Sequence, residues 1–308
     1  MRVLLTGASG FLGKALMRRI GKEAVGHDGY AYDFKHNQSA ELAIDRSQAK
    51  IVVNAAARCG GIMANKTRPA DFYMDNLVMG TNLMRAAIEQ NVSKYVQIGT
   101  VCSYPWKIEN LPAEEIDFWN GEPEPTNAAY GQAKRALIAQ GQAYAKQYRF
   151  NVINPILANL YGPGDHYEEN RAHVIPSLIK KFLDAKEKGS KRVTLWGSGT
   201  CTREFLYVDD AADAIDFLLK KYDSPEIINV ATGFEVTIKE VAEMIAYYCK
   251  FYGDIVWDKS KPDGQPRRNF DISKMQKLGW VAKTNLERGI KQTIHSYLLS
   301  QKECAGAK

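Results

Sequence analysis

Short β-branched or apolar runs alternate with longer helical patterns through the first half of the chain. In order they are RVLLTG (2–7), a helix over 11–20, KIVVNAAA (50–57), a helix around 76–90, KYVQIGT (94–100), a helix over 129–148 and FNVINPIL (150–157). Apolar runs that do not alternate with polar residues belong to strands buried on both faces, the environment of a parallel sheet covered by helices. The expected fold class is α/β, a doubly wound parallel Rossmann sheet.

The character changes after Tyr161. GPGDHYEENRAH (162–173), a helix over 176–188 and KRVTLWGSGT (191–200) break the alternation, whereas EFLYV (204–208), a helix from Asp209 and IINVAT (227–232) suit a return to the first sheet. Beyond Val236 come a helix, the loop KPDGQPRR (261–268) and an amphipathic C-terminal segment. The expected organisation is a dinucleotide-binding domain over 1–162, rejoined by 203–231, with a smaller discontinuous substrate domain mainly over 163–308. A chain of 308 residues is long enough for two such cores.

Composition narrows the function classes. The 41 basic residues are dispersed among 35 acidic ones, without basic runs interleaved with aromatics, which argues against nucleic acid despite the net charge of +6. A basic pocket for anionic small molecules fits the surplus better. The five cysteines are odd in number and show no Cys-x-x-Cys or Cys/His cluster, so neither a disulfide framework nor a metal site is expected. Glycines interrupt the apolar N-terminus, and no apolar run approaches the roughly 18 residues of a membrane span. The expected setting is cytoplasmic, without a membrane partner.

RVLLTGASGFLGKAL places Gly7, Gly10 and Gly13 after the first strand and at the head of a helix, where backbone N–H groups can approach a pyrophosphate. The spacing is the short-chain form of the dinucleotide fingerprint and points to NAD or NADP. A carboxylate after the second strand binds the adenosine ribose hydroxyls and favours NAD. VGHDGYAYDF offers Asp28 and Asp33 for that place, and no arginine competes there for a 2′-phosphate.

Tyr130 and Lys134 stand four apart in NAAYGQAKRAL and share one helix face. An ammonium beside a phenol favours the phenolate, which predicts a lowered Tyr130 pKa and a usable proton donor. Thr100 ends the strand-like KYVQIGT, so its hydroxyl would emerge at the carboxyl edge of a parallel sheet. With the glycine loop, these three residues resemble the extended short-chain dehydrogenase/reductase family.

A narrower resemblance runs along nearly the whole chain. AAARCGGI (55–62), GTVCSYP (99–105), EPTNAAYGQAK (124–134), NLYGPGD (159–165), HVIPSL (173–178), WGSGTCTREFLYVDD (196–210) and KPDGQPRR (261–268) are similar to the GDP-L-fucose synthase family. That resemblance implies a GDP-4-keto-6-deoxyhexose substrate, C3 and C5 epimerisation followed by C4 reduction, NADPH as reductant and a homodimer. It makes Cys102 the base and His173 the acid of epimerisation. It adds Ser9, Phe11, Leu12, Ala55 and Ala56 to the cofactor contacts, and assigns Asn159, Lys181, Trp196, Arg203, Arg267 and Arg268 to the substrate. Lys181 stands where the family has arginine and Thr100 where it has serine, and both keep the needed chemistry. Two further enzyme readings compete: an epimerase that retains its NAD without net reduction, and a 4-reductase alone. A non-catalytic nucleotide-binding protein would have no need of Thr100, Cys102, Tyr130, Lys134 and His173 together.

Overall fold

The structure, a computed structural model, describes residues 1–28, 32–168, 171–261 and 263–306. Positions 29–31 between the two candidate ribose carboxylates, 169 and 170 of the 162–173 segment, 262 of the 261–268 motif and the Cys304 side chain lie outside the described residues.

The N-terminal half runs β1 (Val3–Thr6), α1 (Phe11–Ile20), β2 (Ala24–His27), α2 (Asn37–Ser47), β3 (Ile51–Asn54), α3 (Ile62–Thr67), α4 (Pro69–Glu89), β4 (Lys94–Gln97), β5 (Gly99–Thr100), α5 (Ala128–Tyr148), β6 (Val152–Leu157) and β7 (Asn159–Tyr161). It continues through α6 (Val174–Glu187), β8 (Arg192–Trp196), β9 (Thr202–Arg203), β10 (Phe205–Tyr207), α7 (Val208–Lys221) and β11 (Ile227–Val230). The chain ends with β12 (Val236–Thr237), α8 (Ile238–Cys249), β13 (Asp254–Asp258), α9 (Ser273–Leu278) and α10 (Leu286–Gly306). No described helix is long and apolar enough to cross a membrane.

The main sheet has the order β11-β6-β4-β3-β1-β2, with β5 also on β6, and every pair is parallel. Successive side chains of a strand point to opposite faces. Leu4, Val52, Tyr95 and Val152 therefore enter one buried cluster beneath α2 and α4, while Leu5, Val53, Val96 and Ile153 enter another beneath α1 and α7. A third cluster joins α6, α8 and α10 over β8 and β10. The segment EFLYV does not enter the main sheet, because its strand β10 pairs with β7 in a separate two-stranded sheet; β11 does, beside β6.

The chain passes from β1 to β2 on one side and returns to β3 on the other, so the carboxyl end of β1 is the switch point where such sheets open a crevice. A buried polar ladder fixes this edge. The Thr6 hydroxyl donates to Asn54 Oδ1 at 3.0 Å, and Asn54 Nδ2 donates to Gln97 Oε1 at 3.1 Å. The three residues close β1, β3 and β4 in register.

Candidate active site

The glycine loop is built for close approach. Gly7 has φ +67°, and a side chain there would begin 2.9 Å from the Ala55 carbonyl and the Ala56 backbone, so the loops after β1 and β3 can meet only without one. A side chain at Gly13 would begin 1.9 Å from the Gly7 carbonyl oxygen. Gly10 caps α1 without a side-chain hydrogen bond, and no acidic residue stands in the first turn. The N–H groups around Ser9, Phe11 and Leu12 and the helix dipole thus suit an anion. This cradle fits the pyrophosphate of a dinucleotide.

Asp28 directly follows β2, at the edge where an adenosine ribose would lie. Asp33 belongs instead to the next turn, where it accepts the Lys35 N–H at 3.0 Å and faces Lys35 Nζ and His36 at 3.9 and 3.8 Å.

Thr100 ends β5 and caps a short 3-10 turn, its hydroxyl accepting the Cys102 N–H at 3.2 Å. Tyr130 and Lys134 lie in the first two turns of α5. Lys134 is buried and donates to the Ile98 carbonyl at 3.0 Å, the same oxygen that accepts Gln97 Nε2 at 3.2 Å. The polar ladder of the sheet therefore ends on this ammonium. Burial lowers the Lys134 pKa, partly offset by Cys59.

The Tyr130 hydroxyl lies 3.4 Å from Cys59 Sγ. Burial, then Cys59, then Cys102 hold its pKa well above the ordinary phenol value. This is opposite to the lowering expected from the spacing to Lys134. Spacing alone places the two side chains on one face, but the ammonium is buried and donates to a backbone carbonyl, and the phenol faces sulfur.

Cys102, half-buried, receives Arg268 Nη1 at 3.7 Å. Arg268 is buried and its Nε donates to Gln265 Oε1 at 2.9 Å; Gln265 Nε2 in turn donates to the Trp106 carbonyl at 2.9 Å. Arg203 Nη1 donates to the Thr202 and Gln265 carbonyls, both at 2.6 Å. Burial and the like charge of Arg268 bring its pKa down to about 10. Two guanidiniums thus converge beside one thiol, an arrangement that favours an anion.

The other candidates sit farther along the chain. His173 caps α6, and its imidazole pKa is lowered by the surrounding protein and by His166. Asn159 donates to the Glu204 carbonyl at 3.0 Å. Lys181 projects from α6 into solvent, and Trp196, 60% exposed, closes β8 with Lys261 Nζ 5.7 Å from its ring centre. Arg267 is engaged by Glu235 at 3.0 and 2.6 Å, and this pairing is the largest influence holding the Glu235 carboxyl down at about 2. Of the substrate candidates, Arg203 and Arg268 gather around Cys102, while Arg267 is held by a carboxylate.

Three residues of consequence lie within the family-like segments, but no local spacing marks their roles. Cys59 touches the phenol. Gln265 ties the 261–268 loop to the segment after Cys102. Glu204, wholly buried, accepts the N–H groups of Phe270, Gly233 and Thr232 at 2.6, 2.9 and 3.1 Å, anchoring the backbone that presents Arg203.

Known proteins resemble this chain in sequence and fold. The NAD dependent epimerase/dehydratase family model matches residues 3–231. A GDP-L-fucose synthase of Sinorhizobium fredii is 39% identical over 300 residues, covering 96% of this chain and 95% of the relative. A GDP-L-fucose synthetase of Naegleria fowleri, solved bound to NADP, superposes with a TM-score of 0.87 at 28% identity, over 97% of this chain and 94% of that one. A GDP-6-OMe-4-keto-L-xylo-heptose reductase of C. jejuni superposes with a TM-score of 0.90 at 27% identity, over 97% and 98%. With its glycine cradle at the switch point and its Tyr130–Lys134 helix, the chain belongs to the NAD dependent epimerase/dehydratase family, enzymes that work with a nicotinamide dinucleotide.

Proposed function

We propose that the protein epimerises C3 and C5 of a GDP-4-keto-6-deoxyhexose and then reduces the C4 ketone, the activity that its resemblance to the GDP-L-fucose synthase family implies. The observation that carries this reading is Cys102, held two residues from Thr100 with the Arg268 guanidinium on its sulfur. A reductase needs a hydroxyl, a phenol and an ammonium; it has no use for a thiol on a cation.

Protons on the carbons flanking a ketone are acidic because their removal gives an enolate. The Cys102 sulfur, with the Arg268 guanidinium 3.7 Å away, takes such a proton. The electron pair moves to the C4 oxygen, where the Thr100 and Tyr130 hydroxyls donate hydrogen bonds. His173 returns a proton to the opposite face, which inverts the centre. For reduction, a bound nicotinamide dinucleotide supplies the hydride. Tyr130 then gives its proton to the C4 oxygen, and the nearby Lys134 ammonium supports the phenolate left behind. Arg203 and Lys181 suit the diphosphate, Trp196 suits the flat face of the base, and Asn159 orders the backbone beside them. Arg267 joins them by leaving Glu235.

On this reading residues 163–308 form mainly the substrate-binding unit, apart from 203–231. The protein acts as a cytoplasmic homodimer, the form the family resemblance implies. Asp28 at the end of β2 supports NAD as cofactor, while the NADP bound to the N. fowleri relative supports the phosphorylated form. A 4-reductase without epimerisation is the second reading, favoured by the similarity to the C. jejuni heptose reductase. Incubation with GDP-4-keto-6-deoxymannose and reduced nicotinamide tests the proposal. Cofactor oxidation with a product inverted at C3 and C5 supports it. Oxidation without inversion leaves the second reading, and no oxidation removes both.

A further inference from the structure

The loop between β3 and α3 carries an exposed cysteine on a backbone that is clamped on both sides. Before it, the Arg58 N–H donates to Asn76 Oδ1 at 3.0 Å, and the Arg58 carbonyl accepts Asn76 Nδ2 at 3.1 Å. The Arg58 guanidinium pairs with Asp75 at 2.5 Å and Asp71 at 3.4 Å. After it, the carbonyls of Gly60 and Gly61 accept Asn65 Nδ2 at 2.9 and 3.1 Å. Asn65 and Asn76 are themselves buried. The scaffold fixes Cys59 Sγ 3.4 Å from the Tyr130 hydroxyl.

We propose that Cys59 is a positioning residue for the reduction, its thiol holding the Tyr130 hydroxyl ready for the ketone oxygen. The inference rests on the reductase role given above to Tyr130. A phenol O–H rotates freely about its C–O bond unless a partner defines its direction. Among the described hydrogen bonds the partner of the Tyr130 hydroxyl is the Cys59 sulfur, while Lys134 Nζ donates to the Ile98 carbonyl and the Thr100 hydroxyl accepts from the Cys102 backbone. A thiol is a weak donor and a weak acceptor, so it orients the hydroxyl yet yields to a carbonyl oxygen, a stronger acceptor. A serine at the same place would orient as well but yield less readily. The titratable groups around the phenol are Cys59, Cys102 on the turn after β5 and Lys134 one turn along α5. Of the two sulfurs, Cys59 has the larger influence on its ionisation.

The test uses the full-length protein with tyrosine labelled with carbon-13 at Cζ, the Tyr130 resonance being identified by its loss in Tyr130→Phe. The resonance is compared at neutral pH in wild type, Cys59→Ala and Cys59→Ser, and ketone reduction is measured in parallel. Cys59→Ala should move the Tyr130 resonance at neutral pH, because the hydroxyl loses the sulfur that lies 3.4 Å away. It should lower kcat about three- to tenfold with the cofactor KM unchanged, and Cys59→Ser should recover most of that loss. An unmoved resonance overturns the proposal, as does a fall in kcat that Cys59→Ser fails to recover. The resonance is read without substrate. An enzyme inert toward GDP-keto sugars would therefore sink the functional reading, while the resonance still decided whether Cys59 orients the phenol.

Discussion

Arg268 and Cys102 are separated by 166 residues, yet a guanidinium nitrogen of one lies 3.7 Å from the sulfur of the other. The contact joins the loop over 261–268 to the turn that follows β5, and Gln265 locks it in place through the Trp106 carbonyl. Replacing Arg268 with Met keeps much of the stem and removes the charge. Solvent exchange at C3 and C5 should slow by about ten- to a hundredfold, with NAD(P)H binding unchanged. Exchange at the wild-type rate would show that the cation serves only the substrate or the fold.

Tyr130→Phe should retain folding and cofactor affinity, since the ring stays and one hydroxyl is lost. Reduction should fall by about a hundred- to ten-thousandfold, the usual loss for a positioned acid. Steady-state oxidation of reduced nicotinamide measures it, and near-normal turnover would remove Tyr130 from the chemistry.

Asp28 predicts the cofactor preference. A carboxylate beside the adenosine ribose repels a 2′-phosphate, so NADH should serve at least as well as NADPH, and Asp28→Ser should shift the ratio of kcat/KM values toward NADPH. A large wild-type preference for NADPH would mean that the carboxylate points away from the ribose.

Asp165 gives a prediction about stability. It is buried, its Oδ1 accepts the His166 N–H at 2.7 Å and its Oδ2 has no protein partner. Burial raises its pKa to about 7. The folded state then holds the proton more tightly than the unfolded chain. The resulting stability is present in full below the ordinary aspartate value, about 4, and is lost as pH rises through 7. Asp165→Asn stays neutral and should gain on wild type by about 1–3 kcal/mol between pH 5 and pH 8.5. Urea unfolding at the two pH values checks this, and parallel pH dependences would show that the carboxylate ionises without cost.

The sheet was legible because its strands are buried on both faces and read as unbroken apolar runs. VLLT, IVVN and VINPIL leave no alternative period. Boundaries were less legible where polar residues serve tertiary contacts. Helix α4 begins at Pro69, several residues before its apolar pattern, because Asp71 and Asp75 face Arg58 instead of the core. KYVQIGT reads as one strand but divides at Ile98, whose carbonyl turns to Gln97 and Lys134. Tyr130 and Lys134 could be paired by their helical spacing, whereas the direction of the phenol pKa could not be read, since it depends first on burial and then on Cys59 from 71 residues away. Glu204 and Gln265 likewise act through partners distant in sequence, and no local pattern marks them.

The measurement that bears most directly on the bifunctional account is turnover of the 4-keto sugar in heavy water with reduced nicotinamide, comparing wild type with Cys102→Ser. Wild type should incorporate solvent deuterium at both C3 and C5 and consume one cofactor per sugar. The variant should lose the exchange, since a serine hydroxyl does not ionise usefully near neutrality. Reduction of C4 by the wild type with no deuterium at either carbon would contradict the account and leave a simple 4-reductase, with Cys102 a packing residue.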